Sequence, residues 1–509
     1  MSLPIHDTPL AEAPRLPELR EGQWNEALAP ALIEAPGTAA ILARLREPGA
    51  LVVTTGQQPG LFTGPALTVS KAFSARAVAL VLEREWKRPV VPVYWVPGDD
   101  HDFDEVASVA WLSGEGGLIR AALDLRSADG PLTSMSRQPL GESVLAGLDA
   151  FEHSLPASEA RERTTEWLRR HYAPAHTIAG AFGRAMAELL APFGIACFDS
   201  THPSAKAAAS PLFIHALRET QALDRALTAR AQVLAADGVD HGVAVGEGAS
   251  LVFLEDASGR DRLMAQGERF VTRRGRQVLS LAQLEAIAQE EPERLSGNVL
   301  LRPAVEAYLL PTVAYLAGPG ELRYLSLTPP VYEHLGIQRQ RPVPRWSGLF
   351  VEPRVTRILA KFSVSLEDLL DQSGRLESRL AQEALPPGTE AAFEALRSAI
   401  GSAYEPVIKL AAAVDPTMER PATAARGQAL FATQELEKKL LQHAKKREST
   451  ELAQVARARL SVTPEGKPQE RILSMAGFMG RYGWELTDAL CGHVEAWYAR
   501  ALVAASPTR

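Results

Sequence analysis

LVVTTGQQPGLFTGPALTVSKAFSARAVALVLEREWKRPVVPVYWVPGDDHDFDE, residues 51–105, is the stretch that decides the fold. An apolar, β-branched run at 51–55 leads into a glycine-rich loop, and a second apolar run occupies 90–96. Between them, apolar residues recur at three- and four-residue spacing, which is typical of a helix. The pattern therefore predicts a strand–helix–strand unit, in which polar residues follow the carboxyl end of each strand.

The polar residues that follow these two strands predict a ligand site. In an open parallel sheet, ligands bind beyond the carboxyl ends of the strands, and a helix that begins after a glycine-rich turn attracts anions. The alternative is that the glycines of the first loop only make turns. The run after the second strand, Asp99, Asp100, His101 and Asp102, favours a functional site over that alternative.

Length and composition restrict the class of protein. A chain of 509 residues is too long for one core, so we expect two to four domains. Its formal net charge of −7 argues against a nucleic-acid-binding protein. Two cysteines exclude a disulfide framework, and the sequence predicts neither a signal peptide nor a membrane span. We therefore expect a cytoplasmic protein without a nucleic-acid or membrane partner.

Residues 295–341 hold a second strand–loop–helix junction. An apolar run at 309–316 is followed by a Gly-Pro-Gly-Glu turn, and one amphipathic helix is predicted from there to Gly336. Two such junctions predict a doubly wound parallel α/β sheet whose two halves face a common cleft. The chain contains neither G-x-x-x-x-G-K-[ST] nor a G-x-G-x-x-G after a first strand, which argues against the standard nucleotide loops.

Residues 355–460 differ from the rest of the chain because apolar residues repeat by three and four over long stretches. This is the pattern of a coiled-coil seam. A Leu-Pro-Pro-Gly breaker at 385–388 separates two helical arms, and Pro406 is expected to kink one of them. Exposed coiled-coil arms usually need a partner, so the pattern predicts a homodimer.

Five stretches of the sequence are long and distinctive. They are TGQQPGLFTGPALTVSKA (55–72), VPVYWVPGDDHDFDEV (91–106), MSRQPLG (135–141), NVLLRPAVEAYLLPTVAYLAGPGELRYLSLTPPVYEHLGI (298–337) and QERILSMAGFMGRYG (469–483). These stretches resemble the bacillithiol biosynthesis BshC family of cysteine-adding enzymes. The chain departs from the family pattern at Asp99, where the family typically has Glu, and at Ser70, where members often have His.

The resemblance implies a Rossmann-like core with two small insertions and a C-terminal helical coiled-coil domain that forms the dimer. Together with the patterns above, it divides the chain into consecutive segments. These are the first half of the core (1–105), a small connecting insertion (106–150), core helices and a strand (151–240), a second small β insertion (241–295), the second half of the core (296–350), the coiled coil (351–460) and C-terminal helices that pack on the core (461–509).

The resemblance also implies a reaction, the last step of bacillithiol synthesis. In that step the carboxyl of cysteine is joined to the amine of glucosaminyl-malate. Amide formation from a free carboxylate is uphill in water, so the carboxyl needs activation. The sequence does not identify the activator, and adenylation by ATP or another nucleotide follows only by analogy with nucleotide-binding synthetase cores.

Residue roles follow from these motifs as hypotheses. Asp100, His101 and Asp102 are expected to bind the amine of cysteine or of the sugar, and His101 is the candidate base that deprotonates the attacking amine. Lys71 either neutralises developing negative charge or only extends from its helix. Arg137 and Arg302 are the candidates for the malate carboxylates. The remaining substrate-binding candidates are Gly56, Gln57, Gln58, Gly60, Thr63, Gly64, Asp99, Tyr315, Gly318, Gly320, Glu321 and Tyr324.

Other interpretations stay open at this point. A metal site in the Asp-His run is disfavoured, because ligands adjacent in sequence seldom converge on one ion, and no metal is predicted. A nucleotidyl-transferase-like or adenylating enzyme that acts on another sugar or amino acid is a second interpretation. A non-catalytic, ligand-sensing coiled-coil scaffold is a third, and such a scaffold would not need the dense polar set at the strand ends.

Overall fold

The computed structural model of the protein describes residues 3–127, 130–383, 385–447 and 449–504. The chain forms two compact units. The first consists of Met1–Phe350 with Lys467–Arg509, and the second consists of Val351–Gly466. The strands lie in the first unit, and the described elements of the second unit are helical.

The strands of the described residues lie in the N-terminal 350 residues. They are β1 (Ile5–Asp7), β2 (Leu51–Gly56), β3 (Val90–Val96), β4 (Ser108–Leu112), β5 (Leu118–Ala122), β6 (Ala196–Asp199), β7 (Ala249–Asp256), β8 (Gly259–Gln266), β9 (Arg269–Thr272), β10 (Val278–Ser280), β11 (Leu295–Gly297), β12 (Thr312–Ala317), β13 (Arg341–Pro344) and β14 (Gly348–Phe350).

The α-helices occur along the whole described chain. They are α1 (Thr38–Leu45), α2 (Leu67–Trp86), α3 (Phe103–Val106), α4 (Ser143–Ser154), α5 (Glu159–His171), α6 (Ile178–Leu190), α7 (Pro203–Arg218), α8 (Thr220–Ala236), α9 (Leu281–Glu290), α10 (Arg302–Leu309), α11 (Pro319–Leu325), α12 (Pro329–Leu335), α13 (Pro353–Phe362), α14 (Leu366–Leu370), α15 (Arg375–Glu383), α16 (Thr389–Val414), α17 (Glu419–Arg447), α18 (Ser449–Val462), α19 (Gln469–Ile472), α20 (Met475–Tyr482) and α21 (Glu485–Ala504).

A five-stranded parallel sheet organises the first unit, with the strand order β13-β12-β2-β3-β6. The two apolar runs of the deciding stretch form neighbouring strands in its middle, and α2 connects them. Every residue of β2 and β3 is buried, as expected for strands covered on both faces. The predicted doubly wound parallel α/β sheet is confirmed.

Helices cover both faces of the parallel sheet. On one face lies α2, with α21 packed against it. On the other face Trp95 of β3 stacks on Phe198 of β6, with ring centroids 5.2 Å apart. Both rings belong to an apolar cluster to which α7 and α10 also contribute. Because helices cover both faces, polar groups converge at the carboxyl ends of the strands.

Within the described residues, three antiparallel elements accompany this sheet, and one of them pairs β1 with β14. β4 and β5 form a hairpin, and a second sheet has the order β10-β9-β8-β7-β11. The last strand of that sheet, β11, is followed closely by α10, which leads back to β12 of the parallel sheet. The antiparallel sheet is thus connected to the parallel sheet through α10.

The helix predicted to run continuously from the Gly-Pro-Gly-Glu turn to Gly336 is two helices, and that prediction is wrong. α11 ends at Leu325 and α12 begins at Pro329. Proline has no N–H with which to continue the hydrogen bonds of α11, and it is tolerated in a first helical turn, so Pro329 and Pro330 start a new helix. The predicted end is correct, because Gly336 caps α12 with a φ of +65°.

The second unit contains a long helical hairpin. α16 and α17 are connected by a single turn at Pro416–Met418, and Arg397 of α16 pairs with Glu437 of α17 at 2.7 Å. The predicted breaker at 385–388 lies between α15 and α16, and Pro406 lies inside α16. Apolar side chains remain exposed on both long helices.

Candidate functional site

A cavity of about 370 Å³ lies beyond the carboxyl ends of β2, β3 and β12. This is where an open parallel sheet binds its ligands. Charged side chains of both signs line the cavity between apolar ones such as Leu67, Trp95 and Phe213. Its acidic lining residues are Asp99, Asp100, Glu105 and Glu321, and its basic lining residues are Lys206, Arg260, Arg302, Arg345 and Arg471.

Lys71 and Glu321 connect the two strand–loop–helix junctions. Lys71 is 1% exposed, and its Nζ lies 2.6 Å from Oε2 of Glu321. The same ammonium donates to the carbonyl of Gly56 and, at 3.3 Å, to Oε1 of Gln57. Burial lowers the pKa of Lys71, although the carboxylate of Glu321 opposes this. The two junctions predicted to face one cleft are therefore joined by a buried ion pair.

Glu321 is fixed by more than its cation. The hydroxyl of Tyr315 donates to Oε1, and the N–H of Gly318 donates to Oε2 at 2.7 Å. Burial alone would raise the pKa of Glu321, but the charge of Lys71 and these hydrogen bonds lower it. The carboxylate therefore stays ionised inside the cavity wall.

Asp99, at the end of β3, pairs with a lysine from the helix that follows β6. Nζ of Lys206 lies 2.5 Å from Oδ1 of Asp99 and 2.7 Å from the carbonyl of Leu295. Lys206 is 2% exposed. The acid at position 99 thus holds a buried cation at the cavity wall.

Asp100 is held by hydrogen bonds from three donors. The side-chain amide of Gln58 donates to Oδ2, and the N–H groups of His101 and Asp102 donate to Oδ1 at 2.6 and 3.2 Å. Burial would raise the pKa of Asp100, but the nearby charge of Arg260 and these hydrogen bonds lower it. Asp100 is therefore ionised, and it links the loop after β2 to the segment after β3.

His101 contacts an arginine from the antiparallel sheet. Nη1 of Arg260 lies 3.0 Å from Nδ1 of His101. A guanidinium can only donate, so Nδ1 accepts and the neutral ring carries its proton on Nε2. Burial and the charge of Arg260 lower the pKa of His101, despite Asp100 and Asp102. Arg260 also lies 4.0 Å above the ring of Phe253 and donates to Gly297.

Arg302 lies at the start of α10 and faces the second junction. Its Nη1 donates to Oε2 of Glu306 at 2.9 Å, and its guanidinium lies 5.0 Å from the ring centroid of Tyr315. Glu306 is fully buried and also accepts from the hydroxyl of Thr54. Burial raises the pKa of Glu306, and Arg302 opposes that shift. Arg302 thus brings a held guanidinium to the cavity.

Both units match models of one protein family. Residues 29–346 match "Bacillithiol biosynthesis BshC, N-terminal Rossmann-like domain", and residues 348–499 match "Bacillithiol biosynthesis BshC, C-terminal coiled-coil domain". The chain belongs to the BshC family. Its Rossmann-like and coiled-coil domains, predicted from the sequence, are confirmed by these matches.

Curated relatives of the BshC family cover most of this chain. A protein of Koribacter versatilis is 32% identical over 89% of this chain and 84% of its own length. One of Symbiobacterium thermophilum is 32% identical over 90% of this chain and 85% of its own length, and one of Prosthecochloris aestuarii is 30% identical over 88% and 82%. All three are named "Putative cysteine ligase BshC".

Most of the candidate residues of this BshC chain lie at the cavity. Lys71 and His101 contact its wall, through Glu321 and Arg260. The predicted residues that line the cavity are Gly56, Gln57, Gln58, Asp99, Asp100, Arg302, Tyr315, Gly318, Gly320, Glu321 and Tyr324.

Some predicted residues are not part of the cavity lining. The N–H of Thr63 donates to the hydroxyl of Tyr172, and the neighbouring Gly60 and Gly64 only shape a tight turn. Asp102 caps α3 by accepting from the N–H of Glu105 at 3.4 Å. Arg137 is 43% exposed and lies 3.9 Å from Glu255.

The anion site predicted at the start of α2 is not favoured by this geometry. The N–H of Ala66, just before α2, donates to the carbonyl of Leu473. The loop returns on itself at Phe62, Thr63 and Gly64, all with positive φ, and these residues do not line the cavity. The glycines can be recognised in the sequence. The contact of Leu473 with the start of α2 cannot, because Leu473 is distant in the chain.

Sequence reasoning missed several cavity residues of this BshC chain. Lys206 interrupts an apolar helix, which is a weak signal for a buried, paired cation. Arg260 lies in the antiparallel sheet, and nothing local to it indicates a role at the parallel sheet. Glu105 is the last residue of the stretch 51–105, and the sequence pattern does not distinguish it from the acidic residues before it. The other polar lining residues that were not predicted are Ser200, Asn298, Arg345 and Arg471.

The described residues contain neither a cluster of metal ligands nor a helix suited to span a membrane. In those ranges no group of three or more His, Cys, Asp or Glu side chains is arranged to hold a metal ion. None of the helices placed by the structure combines the length and apolar character that a membrane crossing requires.

Proposed function

We propose that the chain is a cysteine ligase that joins the carboxyl of cysteine to the amine of glucosaminyl-malate. The product is an amide, and the reaction completes the synthesis of bacillithiol. The observation that carries the proposal is the cavity at the strand ends, in which buried acid–base pairs line a space of about 370 Å³. Both substrates carry ammonium and carboxylate groups, and a wall with both signs of charge suits them.

The arginines of the cavity are proposed to bind the malate carboxylates of the acceptor. Arg471 lines the cavity, is exposed and makes no ion pair with the described residues. Arg302 lies across the same space, close to Tyr315. By contrast, Arg345 donates to Glu470 through both Nη1 and Nη2, whereas Arg302 donates to Glu306 through Nη1 alone. Arg471 and Arg302 are therefore the guanidiniums proposed for the malate group.

The carboxyl of cysteine is proposed to be activated by ATP or another nucleotide. A free carboxylate does not condense with an amine in water without such activation. The chain has no Walker-type phosphate loop, so the nucleotide would be held in another way. Nucleotide consumption separates this proposal from a non-catalytic scaffold, and the acceptor with which nucleotide is consumed separates it from a nucleotidyl transferase acting on another sugar.

A product assay tests the proposed function. Purified protein is incubated with cysteine and glucosaminyl-malate, with and without ATP, and the mixture is analysed by mass spectrometry. The proposal expects a product at the mass of bacillithiol, with ATP hydrolysed in step. Product formed with another acceptor amine but not with glucosaminyl-malate would contradict the assigned acceptor.

The helical unit is proposed to form a homodimer. Leu410 and Val414 of α16 are 68% and 87% exposed, and Phe431 of α17 is 63% exposed. Apolar side chains of this size on long helices suit pairing with a second copy in a coiled coil. Light scattering on the purified chain tests this, because Phe431→Ser should shift the mass from two copies toward one.

The cellular location is proposed to be the cytoplasm. Cys197 and Cys491 are both free and buried, which is usual for a protein kept in a reducing compartment. Cell fractionation followed by immunoblotting would test the proposal, and recovery of the chain in a membrane or extracellular fraction would contradict it.

A further inference from the structure

The acidic residues that line the cavity differ in whether their carboxylates already have a hydrogen-bond or ion-pair partner in the protein. Three of the four have a cation or strong donors at hydrogen-bond distance. These pairs are Asp99 with Lys206, Asp100 with Gln58, and Glu321 with Lys71. A carboxylate held in this way is a poor proton acceptor, because its charge is already stabilised.

Glu105 is the fourth acid of the cavity, and its carboxylate makes no ion pair or hydrogen bond with the described residues. It lies on the short helix α3, directly after the Asp-His run, and its N–H is the group that donates to Asp102. Glu105 is exposed. Its carboxylate is therefore free to meet a substrate that enters the cavity.

We propose that Glu105 is the general base of the ligation, and this rests on the proposed function. The Glu105 carboxylate accepts one proton from the ammonium group of the acceptor sugar. The products of this step are a neutral amine, whose lone pair can attack the activated carboxyl of cysteine, and a neutral Glu105 carboxylic acid. An ammonium has no lone pair, so amide formation cannot begin before this proton leaves.

The electrostatic surroundings of Glu105 suit this role. Burial by surrounding protein, together with the negative charges of Asp102, Asp100 and Glu321, raises the pKa of Glu105 to about 7, and Lys71 opposes this. Glu105 and Glu321 line the same cavity. A base with a pKa near the working pH accepts a proton readily and is still ionised in part.

His101 is less suited to the same step. Its basic nitrogen, Nδ1, already accepts from Arg260 at 3.0 Å, and Nε2 carries the proton of the neutral ring. His101 also does not line the cavity. Its geometry makes it a positioning residue that fixes Arg260 beside Asp100.

The test compares Glu105→Gln, Glu105→Asp and the matched control Asp104→Asn in the full-length protein. Asp104 is the exposed neighbour of Glu105 on α3 and does not line the cavity. Initial rates of product formation are measured from pH 5.5 to 9 at saturating substrates. We expect kcat of Glu105→Gln to fall about 100-fold or more, with KM for both substrates changed less than threefold. Glu105→Asp should recover part of the lost rate, and Asp104→Asn should match the unmodified chain.

The pH profile separates a base from a structural residue. The amine of the acceptor also changes its protonation over this pH range. The test therefore compares the pH profiles of the variants with that of the unmodified chain. In Glu105→Gln the rate should rise with pH to the end of the range, because hydroxide and water replace the missing base. Below about pH 7 the rate of the unmodified chain should fall as Glu105 becomes protonated, and this fall is the acidic limb of its profile. A Glu105→Gln variant with the kcat and the acidic limb of the unmodified chain would overturn the proposal. A variant that changes only KM would also overturn it. If the unmodified chain itself forms no product, the proposed function has failed instead.

Discussion

Nζ of Lys71 on α2 lies 2.6 Å from Oε2 of Glu321 on α11, and the two residues are 250 positions apart in the chain. This contact holds the ends of β2 and β12 together at the cavity. The side chain of Lys71 is 1% exposed and that of Glu321 is 21% exposed. Since each charge is largely withdrawn from water, each depends on the other.

Removing one member of this pair should destabilise the first unit. Lys71→Met leaves the Glu321 carboxylate without its cation, and we expect a loss of about 3 kcal/mol in the free energy of unfolding. The double variant Lys71→Met with Glu321→Gln should recover most of it, because no charge is left unpaired. Urea titrations of the single and double variants measure the coupling. Additive losses would show that the pair is not coupled.

Arg471 is predicted to bind the acceptor through its malate group. Replacing it by Gln should raise KM for glucosaminyl-malate about tenfold, equivalent to about 1.4 kcal/mol, with KM for cysteine unchanged. Arg323→Gln is the matched control, since Arg323 is exposed and does not line the cavity. An equal effect in Arg137→Gln would instead support the sequence-based assignment of Arg137.

Glu105→Gln should change thermal stability in a pH-dependent way. The folded-state pKa of about 7 is above the ordinary value of 4.5, so ionised Glu105 disfavours folding as pH rises from about 4.5 to 7. The neutral glutamine avoids this penalty. We therefore expect the Tm of the variant to exceed that of the unmodified chain at pH 8 and to match it at pH 4.5. A Tm difference that is independent of pH would contradict the assigned environment.

His101→Ala should lower activity without removing the acidic limb of the pH profile. The change frees Arg260 from its contact at 3.0 Å and disturbs Asp100 beside it. We expect kcat to fall about tenfold, while the limb near pH 7 that belongs to Glu105 persists. Loss of that limb in His101→Ala would return the base role to the histidine, as the sequence alone suggested.

Much of the fold could be predicted from the sequence because its signals are local. The β-branched runs at 51–55 and 90–96 and the helical spacing between them determine β2, α2 and β3. The break between α11 and α12 could not be seen in periodicity, because the apolar spacing continues through it. There the local chemistry of Pro329 and Pro330 determines the structure.

The candidate site was predictable only in part, because its contacts are distant in sequence. The strand-end rule located Asp100 and Glu321 correctly at one cavity. It could not show that Arg260, 159 residues away, takes up the basic nitrogen of His101. Nor could it distinguish Glu105 from its acidic neighbours. Only the folded structure shows which of these carboxylates have hydrogen-bond or ion-pair partners.

The most direct test of the central claim uses glucosaminyl-malate whose amine carries 15N. The chain is incubated with this acceptor, cysteine and ATP, and the product is fragmented in a mass spectrometer. The account predicts a product at the mass of labelled bacillithiol, with 15N in the amide that links cysteine to the sugar. Failure to form this product, or a product with cysteine joined at another atom, would contradict it.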